Sequence, residues 1–180
     1  WLRFRGHLDR ISDNMFTAAE NVFTGQTGTA VDLLDGQTKP IPQAARHYKA
    51  QGLGWAVVGD ENYGEGSSRE HAAMSPRYLG CRLVVAKSFA RLHITNLKKQ
   101  GVLPCTFAAA GDYDAVRAGD RISVSGLAAL APGTPLRAVL HHADGTTHAL
   151  SLHHSMTEEQ IRWFKAGAAL NLLSALAPSA

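Results

Sequence analysis

Two short apolar runs with helix-forming sequence after each constrain the fold most. "GWAVVGD" at residues 54–60 and "CRLVVAK" at 81–87 do not alternate between wet and dry faces. They have the continuous apolar texture of strands buried in a parallel sheet. "SSREHAAMS" lies between them, "SFARLHITNLKKQ" follows at 88–100, and "VLPCTF" comes after that. Parallel strands need a long crossover, usually a helix, so the order predicts a right-handed βαβ pattern. Ser67-x-x-Glu70 has the form of a capping box, which starts the first helix there, and Pro76 discourages its continuation. Gly101 is the expected cap after the second helix.

Upstream, the first 22 residues mix apolar and polar positions without a clean period, and "FTGQTGTAVDLLDGQTKPIP" is rich in Gly, Thr and Pro. This reads as an irregular N-terminal segment followed by a surface loop. A short helix at about 42–50 ends at Gly52. Downstream, "RISVSGL", "PLRAVLHH" and "THALSLHH" read as strands, the last two joined through Asp144-Gly145 as a tight turn. A final helix opens with a second capping box, Thr157-x-x-Gln160, and carries Ile161, Phe164, Ala168 and Leu172 on one face to about residue 176. With no internal repeat and no linker, residues 1–180 read as one α/β domain with a mixed sheet system. It comprises an N-terminal segment and loop (1–40), a βαβ core (41–107) and a β-rich part with the last helix (108–180).

The chain has 180 residues, 45% hydrophobic and 18% charged, enough for one well-buried core and unlike a disordered segment. Its net charge of +3 comes with no block of like charge denser than Lys98-Lys99, read here as a solvated helix end. That gives little support to a nucleic-acid or membrane patch, and a small anionic ligand suits the charge as well. Cys81 and Cys105 match no CxxC spacing, so the chain's own thiols build neither a zinc site nor an iron–sulfur cluster, and both are expected to be buried and reduced. His141-His142 and His153-His154 could meet on adjacent strands. Without Asp, Glu or Cys spaced among them they read as ordinary strand histidines rather than metal ligands. Trp1, Phe4 and Trp163 read as packing aromatics. No apolar run approaches the ~20 residues of a bilayer span. The start at Trp1, with no Met and no leader pattern, suggests a piece of a longer or processed chain.

"GDENYGEGSSREHAA" at 59–73 concentrates the chemistry. A dinucleotide fingerprint fails because Arg69 stands where the third glycine belongs, and a Walker motif fails at Glu65, where lysine is required. A GxSxG elbow is absent as well. What remains is physical: Gly64 and Gly66 permit unusual backbone angles, a helix start at Ser67 offers free N–H groups, and Arg69 adds a bidentate fork suited to carboxylate. Such a place binds an anion and helps a neighbouring serine lose a proton. The Ser-x-x-Glu form taken alone is equally that of an ordinary helix start.

Together with "WLRFRGHLDRIS" at 1–12, "KSFARLHITNLKKQGVLP" at 87–104 and "QIRWFKAGAALN" at 160–171, this stretch closely resembles the C-terminal swivel domain of mitochondrial-type aconitases, over nearly the whole chain. The resemblance implies a three-layer β/β/α swivelling domain that closes over a site built mainly by the other domains of a longer chain. It implies interconversion of citrate and isocitrate through cis-aconitate, a step of the tricarboxylic acid cycle, with Ser67 as the base. Arg5, Ser68 and Arg69 would clamp substrate carboxylates. A [4Fe-4S] cluster would be ligated by cysteines outside this chain, so the domain alone would be inactive and bind no metal. Nucleic acid and membrane are not expected partners, and the mitochondrial matrix is the expected compartment, with bacterial cytoplasm as the alternative. Relatives acting on homocitrate or isopropylmalate, or a stand-alone anion- or RNA-binding module, are the competing readings. The loop at 23–38, the two cysteines and Ile94 depart from the family pattern without touching the proposed site.

Overall fold

The computed structural model describes residues 8–65 and 70–167. Helix α1 (Leu8–Ile11) and a 3-10 turn at Ser12–Asn14 precede a ribbon of β1 (Thr29–Val31) and β2 (Thr38–Pro40), paired antiparallel from Thr29↔Pro40 to Val31↔Thr38. The expected surface loop therefore holds an ordered hairpin. Its organiser is Asp32, wholly buried, which accepts hydrogen bonds from Lys39 Nζ (2.8 Å) and the Leu34 N–H (2.9 Å) and meets His47 Nδ1 at 2.5 Å. One aspartate in a Gly/Thr-rich stretch looks solvated in sequence because its partners lie further along the chain.

Helix α2 (Ile41–Ala50) follows and ends before Gly52, whose φ of 71° needs glycine. The core pattern is then β3 (Trp55–Gly59), α3 (His71–Tyr78), β4 (Cys81–Ala86), α4 (Arg91–Lys99) and β5 (Leu103–Phe107). β3 pairs parallel with β4, as the two apolar runs predicted, and β4 also pairs parallel with β5. β6 (Arg121–Ser125), β7 (Leu136–His141) and β8 (Thr147–His153) add an antiparallel half, giving one six-stranded mixed sheet of order β3-β4-β5-β8-β7-β6. Gly145, with φ 87°, turns the chain between β7 and β8. Helix α5 (Glu158–Lys165) closes the described chain with both hydrogen bonds of the expected capping box, Gln160 N–H to Thr157 Oγ1 (3.2 Å) and Thr157 N–H to Gln160 Oε1 (3.0 Å).

The residues of β4 separate two cores. Cys81 and Val84 pack with Ala73, Leu97 and Val102 beneath α3 and α4. Leu83 and Val85 join Leu103, Cys105, Leu136, Ala138, Leu140, Leu150, Leu152 and Ile161. The parallel strands thus carry helices on one face and share their other core with the antiparallel strands, a β/β/α layering of the expected kind.

Several sequence expectations shift. β3 is an edge strand and half-exposed, with Val58 at 39%, rather than buried on both sides like β4. α3 runs through Pro76 to Tyr78, with the proline buried inside the helix. Glu70 already has helical angles (φ −56°, ψ −33°). The cap assigned to Ser67 lies outside the described residues, as do Trp1, Phe4, Ala168 and Leu172. α4 begins at Arg91 and not Ser88, since Ser88–Ala90 are taken up in pairing with the loop after β3. Lys98 is not solvated: 6% exposed, it donates to the Ser155 carbonyl (3.0 Å) and Oγ (2.9 Å). The histidine pairs do not meet, because the antiparallel register sets His141 opposite Thr147 and His153 opposite Thr106, at opposite ends of β8. No described helix is long and apolar enough to cross a membrane.

Candidate functional site

The sequence places Ser67, Ser68, Arg69 and Arg5 at the site, and all four lie outside the described residues. What the structure describes is the frame around Ser67–Arg69. β3 ends at Gly59, and residues 60–65 lead away from the carboxyl edge of the parallel strands, the edge at which open α/β sheets bind ligands. Glu65 and Glu70 are the last and first described residues on either side of the motif.

That loop is tied down at several points. Asp60 pairs with Lys87 (3.0 Å), and the Lys87 ammonium also lies 4.2 Å from the centre of the Tyr113 ring. The hydrogen bond from Lys87 holds the Asp60 carboxyl below the ordinary carboxylate value. Asn62 adopts φ 56°, a left-handed angle that asparagine tolerates better than most residues, and its N–H donates to Ser88 Oγ (2.7 Å). Tyr63 bridges to Phe89 in parallel register, its N–H donating to the Ser88 carbonyl (2.9 Å) and its carbonyl accepting from the Ala90 N–H (2.9 Å). The loop thus extends the β3–β4 pairing past the sheet edge.

Two glycines let this frame close. A Cβ on Gly59 would stand 2.5 Å from Tyr63 Cδ2, and one on Gly64 would overlap the His93 ring. Gly64 also adopts φ 86°. The Tyr63 ring meets Phe89 edge-on with centroids 5.8 Å apart and lies 5.4 Å from the His93 imidazole. His93, in the first turn of α4, is 5% exposed, and burial pushes its pKa below the usual histidine value, which keeps it neutral at physiological pH. Burial likewise pushes the Tyr63 hydroxyl up, so it stays protonated.

Tyr63, Ser88, Phe89 and His93 escaped the sequence reading as parts of the site. They belong to two segments about 25 residues apart that only the parallel pairing joins; nothing in their residue types or spacing marks them.

Cys81 and Cys105 sit in different cores on opposite faces of the sheet, each with its thiol pushed up to about 12 by burial, so the two cannot ligate one cluster. Among the described residues Asp32, Asp35 and His47 have ligand atoms within 4.8 Å of one another. The Lys39 ammonium, 2.8 Å from Asp32 and 2.5 Å from Asp35, already supplies the positive charge there.

A probable mitochondrial aconitate hydratase of Caenorhabditis elegans is 52% identical over 95% of this chain, and one of Dictyostelium discoideum 52% over 96%. The mitochondrial aconitate hydratase of Saccharomyces cerevisiae is 48% identical over 97%. The chain spans only 22–23% of the length of these relatives. A 3-isopropylmalate dehydratase structure from Methanocaldococcus jannaschii aligns over 74% of this chain and 72% of its own, with a TM-score of 0.48 and 21% identity. The aconitase C-terminal domain family matches residues 1–110, and the chain belongs to that family.

Proposed function

We propose that this chain, over residues 1–180, is the swivel domain of an aconitate hydratase, a hydro-lyase that interconverts citrate and isocitrate through cis-aconitate. In this reading Ser67 is the base that takes the proton from the carbon next to a carboxylate. Ser68, Arg69 and, from a second direction, Arg5 hold substrate carboxylates. A serine alkoxide is costly in water, and an adjacent guanidinium in a closed, dry site lowers that cost. The [4Fe-4S] cluster of such an enzyme would be held by cysteines beyond this chain, consistent with the separation of Cys81 and Cys105. The names of the relatives support a mitochondrial location, and the matrix is the compartment proposed.

The observation that carries the reading is the anchoring of the glycine-rich loop at the carboxyl edge of β3, on Ser88 and Phe89 and against His93, immediately before Gly66-Ser67-Ser68-Arg69. A rigid approach on the ligand-binding edge suits a base that must be held in one place.

The test is Ser67→Ala in the full-length enzyme, followed through cis-aconitate absorbance. The expected result is a loss of several orders of magnitude in kcat with little change in KM, the mark of a group needed chiefly in the transition state. Turnover near the unmodified rate removes Ser67 from the base role. Homocitrate and isopropylmalate in the same assay separate the related hydro-lyase activities.

A further inference from the structure

A concavity lies at the opposite, amino-terminal edge of the parallel strands, where Gly54 leads into β3 and Gly80 into β4. It is an open cleft of about 440 Å³, a volume within the range of small-molecule sites. Three cations line it: Lys49 at the end of α2, Arg77 in α3 and Arg82 in β4. None of them has a carboxylate partner among the described residues. Lys49 donates to the Tyr78 carbonyl (2.7 Å) and lies 3.9 Å from the centre of the Tyr78 ring, and Arg77 donates to the Gly167 carbonyl (3.2 Å). Arg82 has no hydrogen bond or ion pair to a described residue, and its stem packs against Gly54. Carbonyls and a ring face satisfy donors without cancelling charge.

The 15 acidic side chains of the sequence all belong to described residues. None of the 15 lines it. Three cations without a carboxylate partner among the described residues, held in one concavity, raise a positive local potential that an anion relieves. Beside them the wall is apolar, with Leu8, Met74 and Leu53, the last 45% exposed.

We propose that this cleft binds a nucleotide by its oligophosphate chain. Two guanidinium forks and an ammonium match successive phosphate groups, since arginine takes phosphate in a bidentate manner and lysine supplies a point charge. The apolar wall beside them accepts the base. A tricarboxylate would satisfy the charges and leave that wall bare. The site is independent of the proposed base and clamps, because the length of β3, roughly 16 Å at strand rise, separates the two edges.

The experiment is calorimetric titration of the full-length enzyme with ATP, tripolyphosphate and AMP, citrate being present at saturation to occupy the substrate site. ATP is expected to bind saturably, more tightly than either other probe, and with an affinity that falls as salt rises. Arg82→Gln alone, which removes no contact between described residues but the packing on Gly54, should weaken it several-fold. Arg82→Gln with Lys49→Gln should weaken it about tenfold or more, the equivalent of ~1.4 kcal/mol. No saturable ATP binding at millimolar concentration overturns the proposal, as does binding unchanged in both variants. Tripolyphosphate binding as tightly as ATP overturns the assignment of the apolar wall to a base. Ser67→Ala should leave ATP affinity intact, so this result and the base assignment fail or stand separately.

Discussion

The imidazole of His93 lies directly against the backbone of Gly64, filling the space that a side chain there would need. Any other residue at 64 faces two penalties together. The left-handed φ of 86° costs an L-residue ~1–2 kcal/mol, and forcing a methyl into the ring contact costs about 1–3 kcal/mol more. Gly64→Ala should therefore lower the melting temperature by roughly 5–15 °C for a chain of this size. Adding His93→Ala should recover part of the loss, with a coupling above ~0.5 kcal/mol in a double-mutant cycle of thermal unfolding. Strictly additive effects would mean that the two residues do not set each other's position.

Asp32 should govern how the hairpin region responds to acid. Burial opposes its ionisation, but hydrogen bonds from Lys39, His47 and the Leu34 N–H outweigh that and lower its pKa from 3.8 to about 2. A carboxyl depressed in the folded state stabilises the fold above its unfolded value and loses that contribution as pH falls through the folded one. The stability that Asp32 supplies is therefore present at neutral pH and disappears between about pH 4 and pH 2. Asp32→Asn should melt several degrees lower at pH 7 and show a flatter dependence on pH below 4. Parallel melting curves for the two proteins across that range would contradict the role.

Lys98 fastens α4 to the turn before α5 through both oxygens of Ser155. Lys98→Met keeps most of the apolar stem but removes both hydrogen bonds to the exposed Ser155, at a net cost of about 0.5–1.5 kcal/mol. Hydrogen exchange should accelerate chiefly in α5. Lys99→Met, one position on and without such a contact, should change stability by less than ~0.5 kcal/mol. Equal effects of the two substitutions would return Lys98 to the solvated helix end that the sequence suggests.

Cys81 and Cys105 should be nearly inert in the folded protein. Both are buried, and burial pushes each thiol up to about 12, so almost no thiolate exists at neutral pH. A disulfide-exchange reagent should label neither cysteine over minutes in the native state and both rapidly in denaturant. Rapid native labelling of either would show that its layer opens far more often than the packing implies.

The parts legible in the sequence were those whose signal is local. The apolar run at β4, the short helix α2, the Thr157–Gln160 capping box and the Asp144-Gly145 turn each announce themselves within a few residues, and each appears where expected. The family was legible too, through the resemblance carried by the stretch around Ser67. The β1–β2 hairpin was not, because its stability rests on Asp32 reaching Lys39 and His47 rather than on strand-forming residues. β3 read as fully buried because an edge strand and a central one can carry the same apolar run.

By itself, then, the sequence determined the alternation of strands and helices and the family, since periodicity, caps and motifs are written in neighbouring residues. Only the tertiary structure decided which residues face one another. Parallel pairing of β3 with β4 set Ser88 and Phe89 beside Asn62 and Tyr63, and packing of α4 brought His93 under Gly64. The same pairing gathered Lys49, Arg77 and Arg82 at the far edge of the sheet. Contacts of this kind depend on strand order and register, which arise when separate segments bury their apolar faces together.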